Sequence, residues 1–387
     1  MVLLGNRRFR ALAYQILFVG VIVALLVAGA IVTYHNLKAQ GITSGFDFLW
    51  RSTGWNIGVA LLPAAATDPY WYVILLGFLN TLFAGLLGLL FATMVGAVVG
   101  LGRISENIPA RTLAAIYVEI FRNTPLILQL FFWYALSSLL PPQAQSLQLA
   151  GIYLNNRGLF VPGFNVSGIS VALFYLALVA TAIAFLWIAY ARRFRRMDEA
   201  RKRMLLLAVP LAGALCAFAF LWIGHTAGEP LMSWPTRRGL NFAGGYRVQP
   251  EVYILIFAIA VYGGAYIAEI VRGGFLAVGR GQTEAARALG LSPWQSFSRI
   301  RLPLALRSML PILSNQYIWL IKATTLGTVV GFSDIFLVIA TGITQSGQTL
   351  EFIAILMGGF LVINLTLARA LNHVNRAIAL KGHQLRT

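Results

Sequence analysis

The chain alternates between long apolar stretches and shorter polar segments. Eight apolar runs are about 20 residues or longer, enough to cross the ~30 Å hydrocarbon core of a bilayer. Because backbone polar groups in lipid must be satisfied within the chain, each run is predicted to be a helix. The chain is therefore predicted to be an all-α integral membrane protein with about eight transmembrane helices. The runs cover residues 12–34, 72–101, 113–140, 169–190, 204–223, 252–271, 309–330 and 352–371.

The composition supports the membrane class. Of the 387 residues, 59% are hydrophobic and 11% are charged, and the mean hydropathy is +0.77. A soluble domain typically has about 25% charged residues. The single cysteine, Cys216, excludes an internal disulfide, and the four histidines lack the spacing of metal ligands, so no metal site is predicted.

The basic residues predict the orientation. The formal net charge is +18, and with a cytoplasmic N-terminus 22 Lys and Arg residues fall in cytoplasmic segments. This asymmetry predicts that both termini are cytoplasmic. Because the charges are spread over several loops, they also argue against a nucleic-acid-binding protein. Only six basic residues fall on the outward side, namely Lys38, Arg51, Arg157, Arg237, Arg238 and Arg247.

A polar segment, residues 284–303, separates the sixth and seventh runs and has the pattern of two short helices. Its sequence is EAARALGLSPWQSFSRIRLP. Thr283 is predicted to cap the first helix and Gly290 to end it. The letters SPWQ, beginning at Ser292, form a capping box for the second helix. These features alone fit insertion into a partner's groove and contact with anionic lipid equally well.

The spacing in this segment resembles the EAA loop of ABC importer membrane subunits, whose pattern is EAA, three residues, Gly, nine residues, then Ile-x-Leu-Pro. Four other stretches, 77–105, 117–134, 265–292 and 321–326, resemble polar amino-acid importer permeases of the histidine/glutamine type. The N-terminal run, the long outward loop containing GFDFLW and the middle hairpin resemble the larger permease subunit of general L-amino-acid importers. The EAA positions are Glu284, Ala285, Ala286, Gly290, Ile300, Leu302 and Pro303.

The resemblance implies a type I ABC importer permease core of five helices, with an N-terminal anchor helix and an inserted helical hairpin. The chain then divides into four parts. Residues 1–71 form the anchor helix and a periplasmic loop, and residues 72–141 form the first part of the core. Residues 142–249 contribute inserted periplasmic loops and the hairpin. Residues 250–387 form the second part of the core with the cytoplasmic EAA coupling loop.

The resemblance also implies partners. The EAA residues are expected to couple the chain to a cytoplasmic ABC ATPase dimer in the bacterial inner membrane. A periplasmic binding protein would deliver L-amino acids, and a second, related permease would complete a heterodimer. None of the four lysines follows a glycine, so the chain has no Walker A loop. We therefore predict that it is not an enzyme, has no catalytic residue and binds no cofactor, while ATP and Mg are used by the partner ATPase.

Ionisable residues within apolar runs are costly in lipid and are therefore candidates for function. Glu119 and Arg122 are three residues apart, so they either line a substrate pathway or neutralise each other as structure. Pro125 frees a backbone carbonyl that Arg122 could satisfy. Glu269 and Arg272 repeat the spacing near the cytoplasmic end of their run, where a gate or structural pair is predicted.

Lys322 lies within the seventh run and either meets a substrate carboxylate or pairs with an acid such as Glu119. Ala323 and Leu326 put no carboxylate beside Lys322, and the family resemblance then implies broad or neutral specificity rather than specificity for cationic amino acids. A stand-alone secondary transporter or channel for small polar solutes is the alternative function, although no inverted repeat is clear. Further pathway residues are Asn80, Thr81, Thr324 and Thr325, but membrane threonines also bond their own backbone.

Overall fold

The structure, a computed structural model, describes residues 7–39, 45–190, 197–226, 228–239 and 241–378. The basic residues at 191–196, Lys381 and Arg386 contributed to the predicted orientation and lie outside the described residues. The helices are α1 (Arg7–Ala39), α2 (Tyr70–Arg103), α3 (Ile108–Asn123), α4 (Leu126–Ser138), α5 (Gly168–Tyr190), α6 (Glu199–Ile223), α7 (Pro250–Leu276), α8 (Arg280–Ala288), α9 (Pro293–Ser296), α10 (Leu302–Lys322), α11 (Ile335–Ser346) and α12 (Thr349–Ile378).

The helical architecture confirms the predicted fold class, and each of the eight apolar runs coincides with helical structure. Some runs are not single spans, however. Among the described residues, four helices are long and apolar enough to cross a membrane alone. A fifth span results if the helical stretch 293–330 and α11, which are bent by 51° at their junction, count as one. The third predicted run is divided between α3 and α4, and the seventh continues from α10 into a 3₁₀-helix, so neither is one continuous α-helix.

The centre of the bundle is a close contact between α2 and α7. Small residues recur at every fourth position along α2, from Ala84 through Gly88 and Ala92 to Gly96 and Gly100, and all are buried. A Cβ atom on Gly96 would lie 2.5 Å from the side chain of Ile267, on the facing turn of α7. Small residues let membrane helices approach until their backbones nearly touch. The α2–α7 contact therefore needs glycine where the two helices cross.

The remaining core packs around this pair. Leu255 and Ile259 of α7 lie in one apolar cluster with Leu320 of α10. A second cluster lies near the start of α2, where the rings of Phe48 and Tyr70 contact Phe352 of α12 at centroid distances of 4.8 and 5.7 Å. These clusters fix α10 and α12 against the central pair.

The predicted third span is two helices, and the break follows from Pro125. Proline disfavours helical backbone at the residue before it and removes a helical hydrogen bond. Nε2 of Gln129, which is 4% exposed, donates to the carbonyls of Phe121 at 2.9 Å and Thr124 at 3.0 Å. The expectation that Arg122 satisfies the freed carbonyl is therefore wrong, because Gln129 does so.

The predicted seventh span also changes direction. Helix α10 ends at Lys322, and Ala323–Val330 continue as a 3₁₀-helix. Gly331 closes that turn with φ +83°. Asp334 then caps α11 by accepting a hydrogen bond from the backbone N–H of Leu337 at 2.9 Å. Helix α11 was not predicted as a separate element.

A small β structure, also not predicted, lies between α4 and α7. One antiparallel sheet has the strand order β1–β2–β3–β8, and β4–β5 and β6–β7 form two-stranded sheets. The predicted orientation places them outside the cytoplasm, and we therefore call residues 147–161, 232–239 and 241–248 the outer β cap. The strands are β1 (Leu147–Leu149), β2 (Ile152–Asn155), β3 (Gly158–Val161), β4 (Gly163–Phe164), β5 (Met232–Ser233), β6 (Thr236–Arg238), β7 (Asn241–Ala243) and β8 (Tyr246–Val248).

The outer β cap and the EAA segment lie at opposite ends of α7. β8 leads through Gln249 into the start of α7, and α8 follows shortly after its end. Helix α7 has 27 residues, and at 1.5 Å per residue it is about 40 Å long. The chain therefore presents a β structure on one side of the bundle and a helical loop on the other.

Candidate functional site

The EAA segment begins inside α8. This helix starts at Arg280, so the prediction that Thr283 caps it is wrong. Glu284 and Ala285 lie on its exposed face, whereas Ala286 is only 1% exposed. One alanine therefore anchors α8 on the protein, while its two predecessors present a small-residue surface with one carboxylate.

The end of α8 is a Schellman motif around Gly290. Its φ is +70°, a conformation that residues with a Cβ adopt at a cost. The N–H of Gly290 donates to the carbonyl of Arg287 at 2.9 Å, and the N–H of Leu291 donates to that of Ala286 at 3.1 Å. These bonds satisfy carbonyls at the end of the helix. The prediction that Gly290 ends the first helix is confirmed.

The start of α9 is the predicted capping box. The N–H of Gln295 donates to Oγ of Ser292 at 3.3 Å, and the N–H of Ser292 donates to Oε1 of Gln295 at 2.9 Å. Pro293 occupies a position in the first turn where its missing N–H costs little. The turn between α8 and α9 is thus fixed on both sides by local hydrogen bonds.

Two large apolar side chains of this loop are exposed. Leu289 is 78% exposed and Trp294 is 71% exposed. Exposed Leu and Trp beside a small-residue helix face are features of a surface that another protein covers, where aromatic residues tend to dominate binding. The EAA pattern does not specify either position, so the sequence analysis did not select them.

An aromatic stack connects the loop to α7. The rings of Trp294 and Phe297 stack at a centroid distance of 5.8 Å, and Phe297 stacks on Phe275 at 5.6 Å with 8° between the ring planes. The guanidinium of Arg301 lies 5.8 Å from the Phe275 ring centroid. Phe275 is 4% exposed near the end of α7, so ring contacts connect the exposed Trp294 to the central helix.

The last three EAA positions have a different placement. Ile300 lies in a π-helical turn formed by Phe297–Arg301, and Leu302 and Pro303 open α10. All three are partly buried. These residues therefore join the loop to α10, whereas Glu284 and Ala285 face outward.

A charged cluster lies near the same end of α2 and α7. Nε of Arg272 donates to both carboxylate oxygens of Glu269 at 3.1 Å. Nη1 of Arg103 lies 3.2 Å from Oε2 of the same carboxylate. Glu269 is thus shared by two arginines and ties α2 to α7. Arg103 was not among the predicted site residues, because its contact with Glu269 is distant in sequence.

A cavity of about 590 Å³ opens beside this cluster, and Arg103, Glu119 and Arg272 contribute to its lining. The carboxylate of Glu119 accepts a hydrogen bond from Nδ2 of Asn123 at 3.0 Å. Both ion pairs found among the described residues involve Glu269. Glu119 therefore forms no ion pair with Arg122 or Lys322 in the described part of the chain, and a role for these residues in a substrate pathway stays a prediction.

The other predicted pathway residues in α2 are buried and bonded to backbone. Nδ2 of Asn80 donates to the carbonyls of Val59 at 2.8 Å and Ser333 at 2.7 Å. Oγ1 of Thr81 accepts from the N–H of Ile335 at 3.0 Å. Asn80 and Thr81 thus attach α2 to the junction before α11, where the broken helix leaves backbone groups in need of partners.

The last three predicted pathway residues lie where α10 passes into the 3₁₀-helix, namely Lys322, Thr324 and Thr325. Lys322 is exposed at the end of α10. Thr324 is fully buried and donates to the carbonyl of Ile321 at 2.8 Å, and Thr325 donates to that of Lys322 at 2.9 Å. Of the predicted pathway residues, Glu119 is the one that lines the 590 Å³ cavity in the described part of the chain.

Comparisons with known proteins agree with this architecture. The family described as "Binding-protein-dependent transport system inner membrane component" matches residues 249–379. The putative amino-acid ABC transporter permease protein YhdX of Escherichia coli is 37% identical over 97% of this chain and 96% of that protein. The general L-amino acid transport system permease protein AapQ of Rhizobium johnstonii is 36% identical over 96% of this chain and 93% of that protein.

A third relative extends the similarity. The glutamate/glutamine/aspartate/asparagine transport system permease protein BztB of Rhodobacter capsulatus is 31% identical, over 98% of this chain and 96% of that protein. Similarity at this level over nearly the whole length covers the anchor, the outer β cap and the EAA segment together. The chain belongs to the family of amino-acid ABC transporter permeases.

Proposed function

We propose that this chain is a transmembrane permease subunit of an ATP-binding-cassette importer that takes up L-amino acids. A separate cytoplasmic ABC ATPase dimer drives the transport cycle, and a periplasmic binding protein delivers the amino acid. The family membership supports this proposal, as do the helices long enough to cross a membrane. The chain itself carries no ATPase site and binds no cofactor, while ATP and Mg belong to the partner.

The observation that carries the proposal is the geometry of the EAA loop. Glu284, Ala285, Leu289 and Trp294 are exposed together on two short helices. Local caps hold the turn between these helices, and the aromatic stack joins it to α7. A surface that is exposed but rigid suits transmission of force from a partner, because little of the movement is lost in bending. The ATPase binds this surface, and movement of the bound surface displaces α7 and α10.

We propose that the protein lies in a bacterial inner membrane with both termini and the EAA loop cytoplasmic. The excess of basic residues on that side supports this orientation. A second, related permease subunit pairs with this chain. We also propose broad or neutral amino-acid specificity, which the absence of a carboxylate beside Lys322 in the sequence supports. Glu119, Arg122, Lys322 and the polar residues near them remain candidates for contact with the substrate.

Reconstitution tests this function. The purified complex is placed in proteoliposomes with the binding protein outside and ATP inside, and uptake of radiolabelled amino acids is measured. We expect uptake that requires ATP, the ATPase and the binding protein together. Uptake that proceeds without the ATPase and ATP would instead identify a stand-alone transporter or channel and contradict the proposal.

A further inference from the structure

The outer β cap concentrates the basic charge of the outward side. Four of the six outward Lys and Arg residues belong to it, namely Arg157, Arg237, Arg238 and Arg247. All four are exposed, and the two ion pairs among the described residues both lie elsewhere, at Glu269. Basic residues near membrane spans oppose export of a segment. Membrane topology therefore does not explain a cluster of four arginines on the outward side, and the cluster indicates another role.

Two of these arginines are held in place. Nε and Nη2 of Arg247 donate to the backbone carbonyl of Arg157 at 2.9 and 2.7 Å. Nη1 of Arg157 donates to Oε1 of Gln143 at 3.1 Å. Arginines that are ordered before a partner binds lose less side-chain entropy on binding. The cap thus presents fixed cations, unlike a flexible basic tail.

The sheet beneath them is stiffened by aromatic contacts. Phe242 packs on Tyr153 and Phe160 at centroid distances of 4.7 and 4.5 Å, which closes the β6–β7 hairpin over the four-stranded sheet. Within that hairpin, Arg237 lies opposite Phe242 in the strand register. Arg237 therefore lies opposite a packed aromatic residue, and Arg238 lies opposite Asn241 in the same hairpin.

Exposed aromatic residues accompany the charges. Trp234 is 50% exposed and Tyr246 is 56% exposed. Trp234 lies over the turn between β1 and β2, where a Cβ on Gly151 would be 2.7 Å from its ring. Trp, Tyr and Arg are the residues most enriched at the energetic centres of protein interfaces. Their joint presence here is typical of a surface that binds protein.

The cap is attached directly to the helix that the EAA loop contacts at its other end. Gln249 precedes α7 as its N-cap, and Nε2 of Gln249 donates to the carbonyl of Gly58 at 3.1 Å. β8 is continuous with this residue. A partner bound to the cap therefore acts on the outer end of α7, while the EAA loop acts on its inner end.

We propose that the outer β cap is the docking surface for an acidic face of the periplasmic amino-acid-binding protein. This inference rests on the proposed function. The exposed arginines draw an acidic surface and fix its register, and the aromatic residues supply the contact area. The matching stretch of the general transport family begins at residue 249, immediately after the cap. The cap thus precedes the matched stretch and adjoins the start of α7, the end of the helix at which the proposed function places delivery of the amino acid.

The test is a charge reversal with a matched control. The double variant Arg237→Glu/Arg238→Glu is compared with Arg51→Glu, which alters an exposed outward arginine outside the cap. The assembled transporter is placed in nanodiscs. Its affinity is measured for the binding protein that supports uptake in the proteoliposome assay, at low and high salt. Basal ATPase activity verifies that each variant is folded and assembled.

We expect the double variant to weaken binding about tenfold or more at low salt, with a smaller difference at high salt because salt screens exposed charges. Arg51→Glu should leave the affinity near that of wild type. Equal affinity of wild type and the double variant for the binding protein overturns the docking proposal. The proposal is overturned in the same way if the double variant changes only the amount of anionic lipid that the complex retains. If the wild-type complex binds no such protein and shows no ATP-driven uptake, the proposed function fails and the docking proposal fails with it.

Discussion

The α2–α7 contact and the EAA loop both depend on glycine, but for different physical reasons. At Gly96 the backbone conformation is ordinary and there is no space, since a Cβ would lie 2.5 Å from Ile267. At Gly290 there is open space, with no heavy atom within 4 Å of a Cβ, but φ is +70°. The first glycine permits packing in the membrane, and the second permits a turn in water. Substitutions at the two sites should therefore fail in different ways.

The largest effect is expected for Gly96→Val. The added side chain would push α2 away from α7, and forcing extra atoms into a packed core typically costs about 1–3 kcal/mol or more. The control is Gly358→Val in α12, where a Cβ meets no heavy atom within 4 Å. Thermal melting of the purified complex should show a large loss for Gly96→Val and little change for Gly358→Val. Equal melting temperatures would contradict the close packing of α2 on α7.

An intermediate effect is expected for Glu269→Gln. The change leaves Arg103 and Arg272 without the carboxylate they share, and losing hydrogen bonds to a charged group costs about 1–3 kcal/mol. Glu119→Gln is the matched control, because Glu119 is exposed and hydrogen-bonds a residue of its own helix. The melting temperature should fall for Glu269→Gln and hardly change for Glu119→Gln. A reversed order would show that Glu269 does not tie α2 to α7.

The smallest effect on stability is expected for Gly290→Ala. A residue with a Cβ pays roughly 1–2 kcal/mol in the left-handed region. Gly281→Ala, in α8, is a control of opposite sign, since it has open space and no positive φ, and alanine favours a helix by about 0.5–1 kcal/mol. Chemical denaturation should separate the two. If Gly290→Ala stabilises the protein as well, the Schellman turn is not required.

The contrast between local turns and packing of distant residues also explains which features could be predicted from the sequence. The caps of the EAA segment depend on residues that are close in sequence, so their roles could be predicted from the local pattern. These residues are Gly290, Ser292 and Gln295. The predicted cap at Thr283 is wrong by about one helical turn, because α8 already begins at Arg280. The fold class followed equally well from apolar runs, since lipid leaves helices as the main solution.

Features that depend on distant contacts were missed. The break at Pro125 is an exception, because proline is a local signal and its partner Gln129 lies only four residues further along the chain, yet we predicted one span there. The shared ion pair of Glu269 with Arg103 and the stack of Phe297 on Phe275 join separate elements. The row of small residues along α2 was a signal in the sequence that could have predicted the α2–α7 contact. The short strands of the outer β cap carry no comparable periodicity.

The central claim, that the EAA loop couples ATP hydrolysis to transport, is tested most directly by Gly290→Arg. In proteoliposomes containing the ATPase and the binding protein, amino-acid uptake and ATP hydrolysis are measured on the same sample. Because the side chain enters open space, we expect the complex to assemble and hydrolyse ATP while uptake per ATP falls at least tenfold, since the α8–α9 turn is misaligned. Unchanged uptake per ATP in an assembled Gly290→Arg complex would contradict the account.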